Sequence, residues 1–152
     1  MVSKPEESIR YKRSRFSTRL PAERLYTGSH FWIAPQEQDI WRIGFTKFAI
    51  RMLGEIVECG FEVQAGELVR TGQIIGWIEG FKATSDLYCV VNGEFQQENP
   101  DLQTKIELLH RDPYGKGWLY AVRGSPDADS VSVHGYVDIL DSTIDRIQGK
   151  QN

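Results

Sequence analysis

From Glu55 to Arg123 the chain is a succession of short β-rich runs broken by glycine. The runs are Glu55–Val57, Leu68–Arg70, Ile74–Glu79, Asp86–Val91, Glu94–Glu98 and Trp118–Arg123. An internal echo narrows what they can build. Gly54-Glu55-Ile56 opens a stretch that ends at Gly72-Gln73-Ile74-Ile75-Gly76-Trp77-Ile78, and Gly93-Glu94-Phe95 opens another that ends at Gly115-Lys116-Gly117-Trp118-Leu119. A solenoid needs at least about three repeats to bury a continuous core, so two copies do not make one. They point instead to two similar halves of one flattened barrel or sandwich. The expected class is mainly β with flanking α.

The flanks carry different periods. Phe31-Trp32-Ile33 and Ile40–Phe45, separated by the turn-like Pro35–Asp39, predict a hairpin. Phe48, Ala49, Met52 and Leu53 fall at helical spacing, with Thr46 placed to cap the helix and Gly54 to stop it. Leu102–Leu109 has room for a helical turn, Asp112-Pro113-Tyr114-Gly115 reads as a turn, and Ser125-Pro126-Asp127 as a break. Val133, Tyr136, Val137, Leu140, Ile144 and Ile147 lie on one helical face behind polar residues 129–132 that offer caps. They predict a C-terminal helix over 130–148 packed on the sheet.

With 152 residues the chain is sized for one domain. Its net charge of −3 is unevenly spread. Residues 1–20 hold six Lys/Arg against Glu6 and Glu7 and show no apolar periodicity. They read as a flexible basic N-terminal tail, dispensable for folding, ahead of a domain over 21–152. The acidic remainder argues against a nucleic-acid groove, which needs clustered cations. No apolar run approaches the roughly 18 residues of a membrane span, and there is no secretory apolar segment near Met1. Cys59 and Cys89 are thirty residues apart, neither a disulfide framework nor a CxxC pair, and read as reduced thiols of a cytoplasmic protein. His30, His110 and His134 are scattered without metal-ligand spacing, and neither GxSxG nor a P-loop occurs, so neither a metal site nor a catalytic centre is expected.

Lys82 stands apart from the other lysines. It lies in Gly80-Phe81-Lys82-Ala83-Thr84-Ser85-Asp86, a candidate hairpin tip between the two halves of the echo, with Glu79 and Asp86 close by. An attachment lysine needs such a place: an amine in reach of a modifying enzyme, on backbone held by strands on both sides.

Over about residues 21–148 the chain resembles the glycine cleavage system H-protein family. The resemblance rests on several motifs in order: Tyr26-Thr27-Gly28-Ser29-His30-Phe31-Trp32, Gly44-Phe45-Thr46, Leu53-Gly54-Glu55-Ile56-Val57, Ile78 through Tyr88 around the lysine, Gly93-Glu94, and Asp112-Pro113-Tyr114-Gly115-Lys116-Gly117-Trp118-Leu119. Biotin carriers usually flank their lysine with methionines; Phe81 and Ala83 stand there instead. The resemblance implies a barrel-sandwich hybrid with lipoate in amide linkage to Lys82, attached by a lipoate-attaching enzyme. It implies a carrier rather than an enzyme. A glycine decarboxylase loads an aminomethyl group on the arm, an aminomethyltransferase removes it, and dihydrolipoyl dehydrogenase reoxidises the dithiol.

The resemblance also implies a cleft for the loaded arm, with Ser29 and Asp86 at two of its three polar positions. The third, usually acidic, is Phe31. After Gly-Phe-Thr the family's acidic residue and frequent histidine are Lys47 and Phe48; Phe31 and Phe48 either repack the core, leaving the pocket workable through Ser29 and Asp86, or offer the arm an apolar surface. The Cys59 loop is short, and Cys89-Val90 replaces a small-Pro pair. A cationic cargo needs anionic or hydrogen-bonding partners when buried. Two other readings therefore stand beside the first: a lipoate-binding carrier serving another pathway, such as sulfur oxidation, and an unmodified interaction module.

Overall fold

The computed structural model describes residues 6–151, with side chains through residue 149. In chain order the strands are β1 (Ser8–Arg13), β2 (Phe16–Pro21), β3 (Leu25–Tyr26), β4 (Phe31–Glu37), β5 (Ile40–Phe45), β6 (Ile56–Phe61), β7 (Leu68–Val69), β8 (Ile74–Gly80), β9 (Thr84–Tyr88), β10 (Val91–Glu98) and β11 (Tyr120–Pro126). The helices are α1 (Lys47–Leu53), α2 (Leu108–Arg111) and α3 (Val133–Gln151), with a 3-10 turn at Pro100–Gln103. None of the described helices is long and apolar enough to cross a membrane.

The strands form a six-stranded sheet in the order β3-β4-β5-β11-β10-β7 and a three-stranded sheet in the order β6-β8-β9. The echo is visible as two antiparallel pairs, β6 with β8 and β10 with β11. Period two explains how the large sheet is buried on both faces. Phe31 and Ile33 of β4, with Tyr120 and Val122 of β11, join Ile75, Ile78 and Leu87 from the small sheet in one core. The alternate residues Trp32 and Ala121 face the other way, into a second core with Tyr136, Leu140 and Ile144 of α3. Tyr26 and Tyr136 stack there with ring centroids 4.8 Å apart.

The local signals in the middle of the chain build what they predict. Phe31 pairs with Phe45 across the β4–β5 hairpin. Thr46 caps α1, accepting from the Ala49 N–H, and Gly54 closes it at φ 77°. The expected C-terminal helix is present, starting at Val133 rather than 130 and running on to Gln151 rather than 148.

Two expectations need correction. The run Asp86–Val91 is not one strand. It breaks at Cys89-Val90, where the chain leaves the small sheet and enters the large one. The buried Tyr120 hydroxyl holds that crossing, accepting from the Val90 N–H (3.1 Å) and donating to the Tyr88 carbonyl (3.1 Å). Cys89 is fully buried there, and both cysteines are free.

The second correction is larger. The described part of the basic segment is not a flexible tail. β1 and β2 pair in register from Ser8–Pro21 to Arg13–Phe16. Tyr11, Phe16 and Leu20 are buried in the second core, against α3 and Phe48. Part of the charge around the hairpin is engaged as well. Arg13 makes a two-pronged bond to Asp145 of α3 (3.0 and 2.8 Å) and lies 3.4 Å from Asp141, and Tyr11 donates to Asp141 (2.8 Å). Arg24 pairs in the same two-pronged way with Glu6. One arginine of the hairpin thus answers two aspartates of α3.

Candidate functional site

Lys82 sits where β8 returns as β9. The last ladder pair is Glu79 with Thr84, leaving Gly80-Phe81-Lys82-Ala83 as the loop. Three backbone bonds fix it. The Gly80 N–H donates to the Ala83 carbonyl (2.9 Å), Phe81 to Glu55 (3.0 Å) and Lys82 to Leu53 (2.9 Å). The last two tie the loop to the α1–β6 junction. Glycine is what lets the backbones meet there. A Cβ on Gly80 would lie 2.2 Å from the Leu53 carbonyl oxygen. One on Gly54 would lie 2.9 Å from Cγ of Lys82, at a φ that side chains rarely adopt. The lysine side chain itself is exposed, its Nζ donating at 3.3 Å to the Arg51 carbonyl, and the neighbouring Phe81 is 75% exposed. Gly80→Ala should therefore cost about 1–3 kcal/mol of overpacking, roughly 3–10 °C in Tm. Calorimetry checks this, and an unchanged Tm would show that the loop moves off α1 at no cost.

Beside the loop is a cleft of about 230 Å³. Ser29 and Asp86 both line it, and so does Phe31, so the three residues singled out from the sequence share one cavity. Ser85, Asp86 and Tyr88 reach it from β9, while Ala49, Met52 and Leu53 reach it from one side of α1. Leu53 is also the residue whose carbonyl holds the Lys82 N–H, so the lysine is one hydrogen bond away from the cleft wall. The Ser29 hydroxyl lies 2.9 Å from that of Thr27, and Asp86 is exposed, with no ion pair among the described residues. Phe31 is 2% exposed and stacks on Phe45 at 5.2 Å, forming an apolar wall.

Two of the departures noted in the sequence lie elsewhere. Of the two roles open to Phe48, core packing is the one found, and it does not line this cleft. It points away into the second core, edge-on to Phe16 at 5.5 Å and 4.8 Å from the His30 ring. Lys47 is exposed, its backbone N–H donating to the Tyr114 hydroxyl (3.1 Å). Met52, Phe45 and Tyr88 complete the cleft and were not singled out from the sequence. The spacing of Ala49, Met52 and Leu53 was visible, but it reads as core until the lysine loop is placed beside it.

His30 also lines the cleft. Its Nδ1 lies 2.8 Å from the Tyr136 hydroxyl, which also bonds the Thr46 side chain at 2.8 Å. Burial holds the imidazole down to about 4, so it is neutral at physiological pH. The folded value lies below the unfolded 6.5, so the unfolded chain takes up the proton first as pH falls. Stability is full above pH 6.5 and declines from there towards pH 4, by about 3 kcal/mol for this residue. His30→Asn tolerates the φ of 70° and does not titrate. Urea midpoints measured from pH 7 to 4 should fall less steeply in the variant, and parallel curves would remove His30 from the acid response.

An exposed lysine on a glycine-fitted loop, next to a cleft with apolar walls and a carboxylate at its edge, is an arrangement that suits a carrier domain. The comparisons with known proteins agree. The glycine cleavage H-protein family model matches residues 24–136. A glycine cleavage system H protein of Rubrobacter xylanophilus is 38% identical over 122 residues, 80% of this chain and 95% of that one. One of Thermus thermophilus is 34% identical over 126 residues, covering 81% and 97%. The crystal structure of an H protein from Mycobacterium marinum superposes with a TM-score of 0.70 at 30% identity, over 78% of this chain and 97% of that one. The chain belongs to the glycine cleavage H-protein family. The match begins after the β1–β2 hairpin and stops within the first turn of α3, so the hairpin and most of α3 lie outside it.

Proposed function

We propose that Lys82 is the lipoyl attachment site and that the chain is the mobile carrier of glycine cleavage. It takes an aminomethyl group from the glycine decarboxylase to the aminomethyltransferase, and dihydrolipoyl dehydrogenase restores the arm. The observation that carries this reading is the cleft that joins Ser29 and Asp86 one hydrogen bond from the lysine backbone. When bound, the lipoyl group supplies a dithiolane that opens reductively and closes on reoxidation.

The residues fit such a group. Lys82 offers an exposed amine for acylation, and acylation removes its charge. Gly54 and Gly80 keep the loop flat against α1, which fixes the direction in which the arm leaves. Phe31, Phe45 and Leu53 give apolar walls for an alkyl chain and keep water off its end. Asp86 supplies a countercharge for a cationic cargo, and Ser29 a hydrogen bond. The chain itself performs no bond making; it positions and shields.

The experiment is reconstitution. Lipoylated protein should support exchange of the glycine carboxyl carbon with bicarbonate by a glycine decarboxylase, and ammonia release once aminomethyltransferase and tetrahydrofolate are added. Full lipoylation without any exchange would assign the carrier to another pathway.

A further inference from the structure

A second cavity shares a wall residue, Met52, with the cleft. It is a groove of about 530 Å³, more than twice the volume of the cleft. Its floor is apolar: Phe16 from the β1–β2 hairpin, Phe48 from α1, and Ile144 and Ile147 from α3. Its rim is cationic, with Arg13, Arg15 and Arg51, and no carboxylate lines it.

The charges are not equally engaged. Arg13 is held by Asp141 and Asp145. Arg15 and Arg51 are exposed and make no ion pair among the described residues, and the Arg51 guanidinium sits 5.7 Å above the Phe16 ring. Arg51 is also the residue whose carbonyl accepts from the Lys82 Nζ at 3.3 Å. An arm leaving that nitrogen therefore starts one hydrogen bond from Arg51, which lines the groove, as the Lys82 N–H is one hydrogen bond from Leu53, which lines the cleft; the carboxylate of the cleft is Asp86, whereas the groove is rimmed by guanidiniums. An alkyl chain ending in an anion fits the second: apolar floor for the chain, forked donors for the head.

We propose that this groove is a second seat for the arm, taken when the group on its terminal sulfur is a small anion, while a cationic group is seated by Asp86. The two cavities then sort the arm by the charge of what it carries. The seat is built largely by residues outside the family match, namely the β1–β2 hairpin and the end of α3. The proposal rests on lipoylation of Lys82, so intact mass is read first: an unmodified protein removes the carrier reading, whereas charged derivatives of the arm test only the seat.

The lipoylated protein is reduced, and its arm is alkylated either with iodoacetate, giving a carboxymethyl thioether, or with 2-bromoethylamine, giving an aminoethyl thioether. In each case the thiolate sulfur displaces the halide. Burial pushes the Cys59 thiol up to about 11 and raises Cys89, which favours the arm thiols. Backbone amide shifts are then recorded by NMR against the neutral carbamoylmethyl adduct. The carboxymethyl arm should move the amides of Phe16, Phe48 and Arg51, the aminoethyl arm those of Ser29 and Asp86. The variant carrying Arg15→Gln and Arg51→Gln should lose the first set roughly tenfold in occupancy and keep the second. The proposal is overturned if both adducts move the same amides, if the carboxymethyl arm leaves the groove amides in place, or if its effect survives the double variant.

Discussion

Lys82→Arg should abolish carrier activity outright while leaving the fold as stable as before. The contrast comes from where the side chain lies. It is exposed, and its one hydrogen bond is a 3.3 Å contact to the Arg51 carbonyl that an arginine can replace. A surface change of this kind moves stability by no more than about 0.5 kcal/mol. The guanidinium keeps the positive charge but stays protonated and does not form the amide. Glycine–bicarbonate exchange with the variant should fall to the level without carrier, with Tm unchanged. Residual exchange above that level would mean that a second lysine carries the arm. A fall in Tm of several degrees would mean that the lysine stem is structural.

The second large effect concerns the N-terminal hairpin. Phe16→Ala should destabilise the protein by about 3 kcal/mol, the low end for deleting a buried phenylalanine. Phe16 is 7% exposed and packs edge-on to Phe48, and with Tyr11 and Leu20 it closes the second core over α3. Against the 5–15 kcal/mol that holds a typical domain together, that is a large fraction, worth roughly 6–12 °C in Tm. The neighbouring exposed Ser17→Ala should change nothing measurable and serves as the control. Removing residues 1–20 should be at least as costly as Phe16→Ala, because it also exposes Phe48. A truncated chain with the Tm of the full one would show that the hairpin rests on the body without holding it.

What could be read in the sequence was what local chemistry decides. Thr46 and Gly54 bracket α1 because caps act within one turn, and the α3 stripe is a helical period on consecutive turns. The β4–β5 hairpin has a turn between two β-rich runs. The N-terminal hairpin escaped because Tyr11, Phe16 and Leu20 are spread thinly among charged residues. What buries them, α1 and α3, lies far along the chain. The break at Cys89-Val90 escaped because no glycine or proline marks it; a tyrosine thirty residues later does the holding. In the site, Lys82 has a local signature, two short strands around a glycine-led loop. Ser29, Phe31 and Asp86 were legible only through the family resemblance, since β9, α1 and the start of β4 meet solely in three dimensions. Tyr88 had no signal of its own for the same reason, Met52 carried only the helical spacing that reads as core, and Phe48 was left between core and cleft because its partner, Phe16, lay in a segment taken for tail.

The measurement that bears most directly on the whole account is peptide mapping of the protein purified from cells that make lipoate. Mass spectrometry should find one lipoyl group, on the peptide containing Lys82 and on no other, in near-stoichiometric amount. An unmodified Lys82 in such cells, or a lipoyl group on any other lysine, would contradict the assignment of the β8–β9 loop as the carrier site and the function built on it.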